Sequence, residues 1–269
     1  VTTSDVTGAT TIYFTPYRGN RCALYDGTDW RHVTFTERSL SLGTDAANAN
    51  YDLFLYLSGG VATVERIAWT NDYDRATNLA YQNGVLVRSG ATTQRYLGTY
   101  RTTTTIGQTE ASMTKQFVWN HLHKVKLPLR LITSANTWDY SADNWRTAGG
   151  IATHQVAGVV GWTESLASLR LITIGGSTIS QGPRFFAGIG YRTSGVPLTS
   201  SQWEGVYILT SASFALGYGH AALDHLPSIG ANSWVWIEKT GNATSPIRFY
   251  GDNGDPENFT AGLLGWIEG

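Results

Sequence analysis

Between Tyr51 and Trp69 the chain reads YDLFLYLSGGVATVERIAW, and the alternation in this stretch leaves little conformational choice. Leu53, Leu55 and Leu57 fall on one side of an extended chain and Asp52, Phe54 and Tyr56 on the other, because successive strand side chains point to opposite faces. Ser58-Gly59-Gly60 supplies the reversal, so the stretch is predicted to be a β-hairpin. The chain opens in the same way. Ile12 and Phe14 alternate, Ala23-Leu24-Tyr25 and Trp30 to Thr36 follow, and Asp26-Gly27-Thr28-Asp29 offers the positive φ a tight connection needs. YFTPYRGNRCALYDGTDWRHV is therefore read as the start of a meander, with Arg18 and Arg21 as exposed polar positions.

Further along, Val85 to Val87 and Arg95 to Arg101 read as strands, and Tyr73 to Tyr81 as one short helix capped by Asn71-Asp72 and ended by Asn83-Gly84. Met113 to Lys126 fits a helix or an irregular strand equally. Beyond it come short apolar runs at Pro128 to Thr133, Val156 to Trp162, Ser168 to Ile174, Phe185 to Tyr191, Ser201 to Leu209, Ala212 to Leu216, Ser233 to Glu238 and Leu263 to Ile267. Gly, Ser, Asn and Pro punctuate them, which points to an antiparallel sandwich and not to βαβ units. With 30 Gly and 14 Tyr against a single Met, composition also favours turns and strands. The expected fold is mostly β, and a chain of 269 residues has room for two domains. These are an N-terminal antiparallel domain over 1–110 with the short helix, a connecting segment over 111–130, and a jelly-roll-like sandwich over 131–269.

Several function classes are disfavoured. Charged residues are 14% of the chain and the net charge is -1, so no field of one sign draws in nucleic acid. No run of about 18 apolar residues is present, so no membrane insertion is expected. The N-terminal VTTSDVTGATT lacks the basic and apolar regions of a secretion signal. The one cysteine, Cys22, excludes an intramolecular disulfide and reads as a small buried hydrophobe. Nucleophile-elbow, Walker, dinucleotide-binding and zinc-hydrolase motifs are absent, and neither a cofactor nor enzymatic activity is expected.

Some residue clusters still carry chemistry. Asp252-Asn253-Gly254-Asp255-Pro256-Glu257-Asn258 crowds hard oxygen ligands together, making Asp252, Asp255 and Glu257 the candidate metal ligands, although Pro256 interrupts a Ca²⁺-loop pattern and a solvated turn is the simpler reading. The same carboxylates are the only basis for a polysaccharide-degrading alternative. His121 and His123 have no neighbouring Asp, Glu or Cys to complete a metal shell. Asp224-His225, in an expected helical turn near Ala221 to Leu226 after a loop carrying His220, has the residue types of a base and its orienting carboxylate, but no particular serine is marked as nucleophile. Trp138, Tyr140 and Trp145 are interleaved with Asp139, Ser141, Asp143 and Asn144, so they are the aromatics expected at an exposed, ligand-binding turn. Trp234 and Trp236 are expected at an oligomer interface.

The stretches TPYRGNRCALYDGTDW, IAWTND, DRATNLA, QNGVLVRSGATTQRYLGTYRTT and KQFVWNHLHKVKLPLRL, with GYGHAALDHLP and a late Tyr-Gly-Asp-Asn-Gly, resemble a set of tailed-phage virion proteins of the tail-fibre, spike and head-decoration type. The C-terminal half is similar in style to trimeric jelly rolls of the tumour-necrosis-factor and complement type. The resemblance implies a structural or adhesive component located in the virion, attached to other virion proteins through its N-terminal domain. It implies a homotrimer that displays a domain for host-surface glycans or, alternatively, a capsid cement protein with no ligand. It supplies no catalytic residue.

Overall fold

A computed structural model describes residues 4–177, 184–192, 203–207, 215–241, 246–252 and 260–269. The N-terminal portion holds β1 (Val6–Ala9), β2 (Thr11–Phe14), β3 (Arg21–Tyr25), β4 (Trp30–Thr34), β5 (Arg38–Ser41), β6 (Asn50–Ser58), β7 (Val61–Ala68), β8 (Leu79–Gln82), β9 (Val85–Arg88) and β10 (Ala91–Arg101). β11 (Thr109–Ala111), β12 (Lys115–Gln116) and β13 (Val118–Asn120) follow. The rest is β14 (Lys126–Ile132), β15 (Thr137–Tyr140), β16 (Arg146–Thr147), β17 (Gln155–Val160), β18 (Ala167–Ser177), β19 (Arg184–Tyr191), β20 (Trp203–Tyr207), β21 (Ala215–His225), β22 (Gly230–Thr240), β23 (Ile247–Tyr250) and β24 (Gly262–Glu268). One 3₁₀ turn, Ala148–Gly150, is the only helical element among the described residues, so the mostly-β expectation holds.

The short helix expected from Tyr73 to Tyr81 is absent. Asn83 and Gly84 both have positive φ, 50° and 83°, and join β8 to β9 as a two-residue hairpin. The Asn-Gly pair serves strand reversal and not helix termination, and Leu79 to Gln82 then gain cross-strand partners that an isolated two-turn helix would lack. Likewise Ala221 to His225, read as a helical turn, continue β21 in full register with β18.

Two sheets form the C-terminal sandwich. One has eight strands in the order β1-β11-β12-β17-β22-β19-β20, with β16 also on β22. The other has β14-β24-β18-β23-β15, with β21 on the far side of β18. Val156, Val160, Ile189, Trp234 and Trp236 from the first face Leu129, Leu169, Leu171, Leu223, Leu263 and Ile267 from the second, forming one buried core. The N-terminal unit is a sheet in the order β7-β6-β10-β9-β8, with β13 on β10, covered on one face by the strand pair β2–β5 and the hairpin β3–β4. Cys22 lies in that core, and burial pushes its thiol up while the nearby Arg95 guanidinium opposes the shift.

Alternation in β6 assigns its two faces. Leu53 and Leu55 enter the N-terminal core, whereas Phe54 joins Tyr96, Leu86, Trp119 and Val159 in a separate cluster between the two units. This second cluster is the seam. At it, the indole of Trp119 donates to Ser165 Oγ at 3.1 Å and to the Glu268 carbonyl at 2.9 Å. The chain also crosses between units. β1, expected within the N-terminal domain, pairs with β11, and β12 runs parallel to β17, so residues 6–9 extend a sheet of the C-terminal sandwich. The run from Thr102 to Gln108 is tied down, with the Thr102 hydroxyl donating to the Ala46 carbonyl and the Gly107 amide to the Asp45 carbonyl.

Candidate functional site

Aromatic and basic side chains gather where β15, β16, β19 and β22 meet. Tyr140 donates its hydroxyl to the Asn144 carbonyl at 2.8 Å, closing the polar turn that precedes β16. The Arg146 guanidinium lies 3.7 Å from the centre of the Tyr140 ring. Trp145 meets Phe186 edge to face at 6.4 Å, and the Lys239 ammonium stands 4.9 Å from the Phe186 ring centre and 5.6 Å from that of Trp145. Register explains the grouping, since Phe186 faces Lys239 and Arg146 faces Glu238 on paired strands. Asp143 in the turn pairs with Lys239 at 2.9 Å. Tyr140, Trp145 and Phe186 are half-buried, so each ring is fixed by the sheet and keeps part of its surface in water. Together they form a ledge.

Beneath the ledge Glu238 is completely buried. Trp138 Nε1 donates to its two oxygens at 3.0 and 2.9 Å, Arg146 donates through Nε at 2.9 Å and its terminal nitrogen at 2.8 Å, and the Gly149 amide adds a bond at 3.0 Å. Burial pushes the carboxyl up from the usual carboxylate range, and these donors pull against that rise. The site anchors the loop; it does not open onto solvent. Trp138 is thereby corrected from exposed ligand-binder to structural residue, its ring stacked on Phe249 at 5.9 Å because the two are partners across β15 and β23.

The interface expectation is also corrected. Trp234 and Trp236 have no exposed surface, because β22 is an interior strand flanked by β17 and β19, and their rings fill the protomer's own core. The indole of Trp234 donates to His225 Nε2 at 2.9 Å, which assigns the His225 proton to Nδ1. Asp224 turns to the other face, as adjacent strand residues do, and binds Arg170 at 3.0 and 2.9 Å, so the Asp224-His225 pair forms no catalytic dyad. His121 packs against the rings of Tyr96 and Trp119 and His123 beside Tyr17, and no group of three metal-ligating side chains occurs among the described residues. Asp252 is exposed, and its amide donates to the Thr133 carbonyl at 3.1 Å; Asp255 and Glu257 lie outside the described residues.

A second buried carboxylate occupies the seam. Asp52 accepts from Arg75 Nε at 2.6 Å and from the Thr99 hydroxyl at 2.6 Å, and Tyr96 and Thr99 hydroxyls are 2.6 Å apart. Arg75 lies 4.4 Å from the Trp69 ring centre and also donates to the carbonyl of Gly161, across the seam. Glycine is required there: a Cβ on Gly161 would sit 2.2 Å from the Tyr96 hydroxyl. Burial raises the Asp52 carboxyl, with Arg75 opposing.

Sequence reasoning missed Arg146, Phe186, Lys239, Glu238 and the Asp52–Arg75 pair. One signal was available, a carboxylate placed directly after the apolar run Trp234-Val235-Trp236-Ile237, which demands buried donors.

No family model and no curated protein matches the chain. Among solved structures, a Bacillus thuringiensis Cry1Da tryptic core variant is 10% identical over 98% of this chain and 51% of its own, with a TM-score of 0.21. The insecticidal delta-endotoxin Cry8Ea1 from Bacillus thuringiensis is 7% identical over 93% of this chain and 53% of its own, with a TM-score of 0.15. A structure of infectious bursal disease virus, Gx strain, is 10% identical over 98% of this chain and 79% of its own, at 0.14. The chain thus spans about half the length of the first two, and likenesses at these scores carry no argument about fold or function.

Proposed function

We propose that the chain is a non-catalytic structural component of a phage virion, a fibre, spike or decoration protein, that meets other virion proteins through its N-terminal unit and presents the sandwich to host-surface glycans as a homotrimer. The observation that carries the glycan reading is the ledge of Tyr140, Trp145 and Phe186 with Arg146 and Lys239. Flat rings on strands stack against the C–H faces of sugar rings, and neighbouring cations donate hydrogen bonds to hydroxyls. The virion reading is supported by the resemblance of TPYRGNRCALYDGTDW and KQFVWNHLHKVKLPLRL to such proteins. The non-catalytic reading is supported by the two deeply buried carboxylates, Asp52 and Glu238, each of which is closed over by arginine and neutral donors.

An array of bacterial surface polysaccharides tests the ledge. Native protein is expected to bind, and Trp145→Ala and Phe186→Ala to lose at least about tenfold in affinity, within the ~1–3 kcal/mol that a stacking contact supplies in nucleic-acid complexes. An array blank over all surfaces, with tight binding to assembled capsids, would replace the adhesive reading by that of a cement protein. Light scattering tests assembly: a mass near three times 29.3 kDa is expected, and a salt-independent monomer would remove the trimer.

A further inference from the structure

We propose that a second ligand site, for a neutral saccharide, lies in the cleft between the N-terminal residues 4–15 and the strands that follow residue 110. The cleft encloses about 450 Å³. That volume falls within the ~300–1,000 Å³ typical of small-molecule sites, which gather where two packed units meet. Its lining is drawn from segments far apart in the chain, with Asp5 beside β1, Tyr13 on β2, Met113 after β11, and Asn120 and His123 around the end of β13.

The chemistry of the lining selects the ligand. Val118, Val125, Leu127 and Pro128 give it an apolar surface. Tyr13, 60% exposed, contributes an aromatic ring. Tyr17, also exposed, holds its ring 4.8 Å from that of His123. Several polar groups of the lining have no intramolecular partner among the described residues. Asn120 Oδ1 accepts from the Leu122 and His123 amides, which leaves its amide NH₂ for a ligand. One oxygen of Asp5 accepts from the Met113 amide and the other is uncommitted. The Tyr13 hydroxyl and the His123 ring nitrogens complete the set. Donors and acceptors are therefore mixed, and the ionisable side chains of the lining are one carboxylate, one imidazole and one phenol. With no lysine or arginine in the lining, nothing there selects an anion, and the mixed donors and acceptors suit hydroxyl groups. An amphipathic ring with an apolar face and a hydroxylated edge matches both halves of the lining. The site is distinct from the ledge and its assignment does not depend on it.

Saturation-transfer NMR with cellobiose, maltose, lactose and N,N′-diacetylchitobiose as probes provides the test. Transfer to at least one disaccharide is expected. Tyr13→Ala, which removes the ring, and Met113→Trp, which fills the cleft from a position 42% exposed, are each expected to weaken it at least tenfold with an unchanged melting temperature. Should one variant fail to fold, the other decides. Tyr13→Phe separates the hydroxyl from the ring and is expected to retain part of the signal. Transfer to none of the four sugars, or transfer that survives both Tyr13→Ala and Met113→Trp, overturns the proposal. Transfer that survives those two and is lost in Trp145→Ala assigns the sugar to the ledge, so the failure of one site is distinguishable from that of the other.

Discussion

Asp52 at the seam and Glu238 under the ledge are both carboxylates with almost no contact with water, yet the protein satisfies them differently. Asp52 faces an arginine that is itself buried, the Arg75 side chain being 5% exposed, so both charges have left water. Glu238 faces Arg146, whose side chain keeps 28% of its exposure, and takes further donors from the neutral Trp138 indole and the Gly149 amide. The first arrangement places its one cation in the same dry site, with the Thr99 hydroxyl as a neutral donor beside it, and that arginine also holds Gly161 of the other unit. The second spreads the demand over several donors, one of which still reaches solvent. Attraction inside a dry pair offsets a large desolvation cost only while both partners are present, so the two sites should tolerate damage unequally.

The largest effect is expected from Arg75→Met, which strands Asp52 as a lone buried charge at a cost of about 3–5 kcal/mol. Urea unfolding measures it, and adding Asp52→Leu should recover much of the loss because the unpaired charge is then gone. Arg146→Met is expected to cost less, about 1–3 kcal/mol, since Trp138 and Gly149 continue to serve Glu238. Equal losses for the two arginine variants would abolish the distinction between the sites.

The smallest effect sharpens the comparison by using buried groups that carry no charge. Burial holds His121, His154 and His225 below the ordinary imidazole value. At His225, Arg192 lowers it further and Asp224 partly opposes; Trp234 and the Tyr191 ring face it from the neighbouring sheet. The unfolded chain takes up these protons near pH ~6.5, the native chain only at lower pH. Between those values the unfolded state binds more protons, so stability falls as pH drops below about 6.5. His225→Gln, which keeps an acceptor for the Trp234 indole, should flatten part of that decline in melting temperature against pH. An unaltered slope would show that His225 is not among the groups responsible.

Strand existence was legible along the chain because period-two alternation and Gly punctuation are local signals. Leu53 and Leu55 against Phe54, and the runs that became β17, β18, β19, β22 and β24, show it. Asn83-Gly84 was ambiguous because the same dipeptide can end a helix or reverse a strand, and the choice depended on the cross-strand partners Leu79 to Gln82 would find. What alternation does not encode is pairing across the chain. Glu238 finds Trp138 and Arg146 from about a hundred positions earlier, and Arg75 reaches Gly161, so neither buried carboxylate could be matched to its donors by spacing. The aromatic turn illustrates both sides. Tyr140 and Trp145 lie at the surface ledge within a polar turn, whereas Trp138, two residues from Tyr140 on the same strand, was drawn inward by a carboxylate the sequence placed far away.

β24 lies between β14 and β18, with Leu131 opposite Leu263 on one side and Leu171 opposite Leu263 on the other. A ribosome making this chain delivers that interior strand long after β14 and β18. Until residues 262–268 emerge, β14 and the edge of β18 that receives β24 stand apart, so the sandwich cannot close progressively as it is synthesised. A nascent chain stalled before β24 would therefore be the form most exposed to wrong strand pairing, and its completion resembles insertion of a central board into a waiting gap.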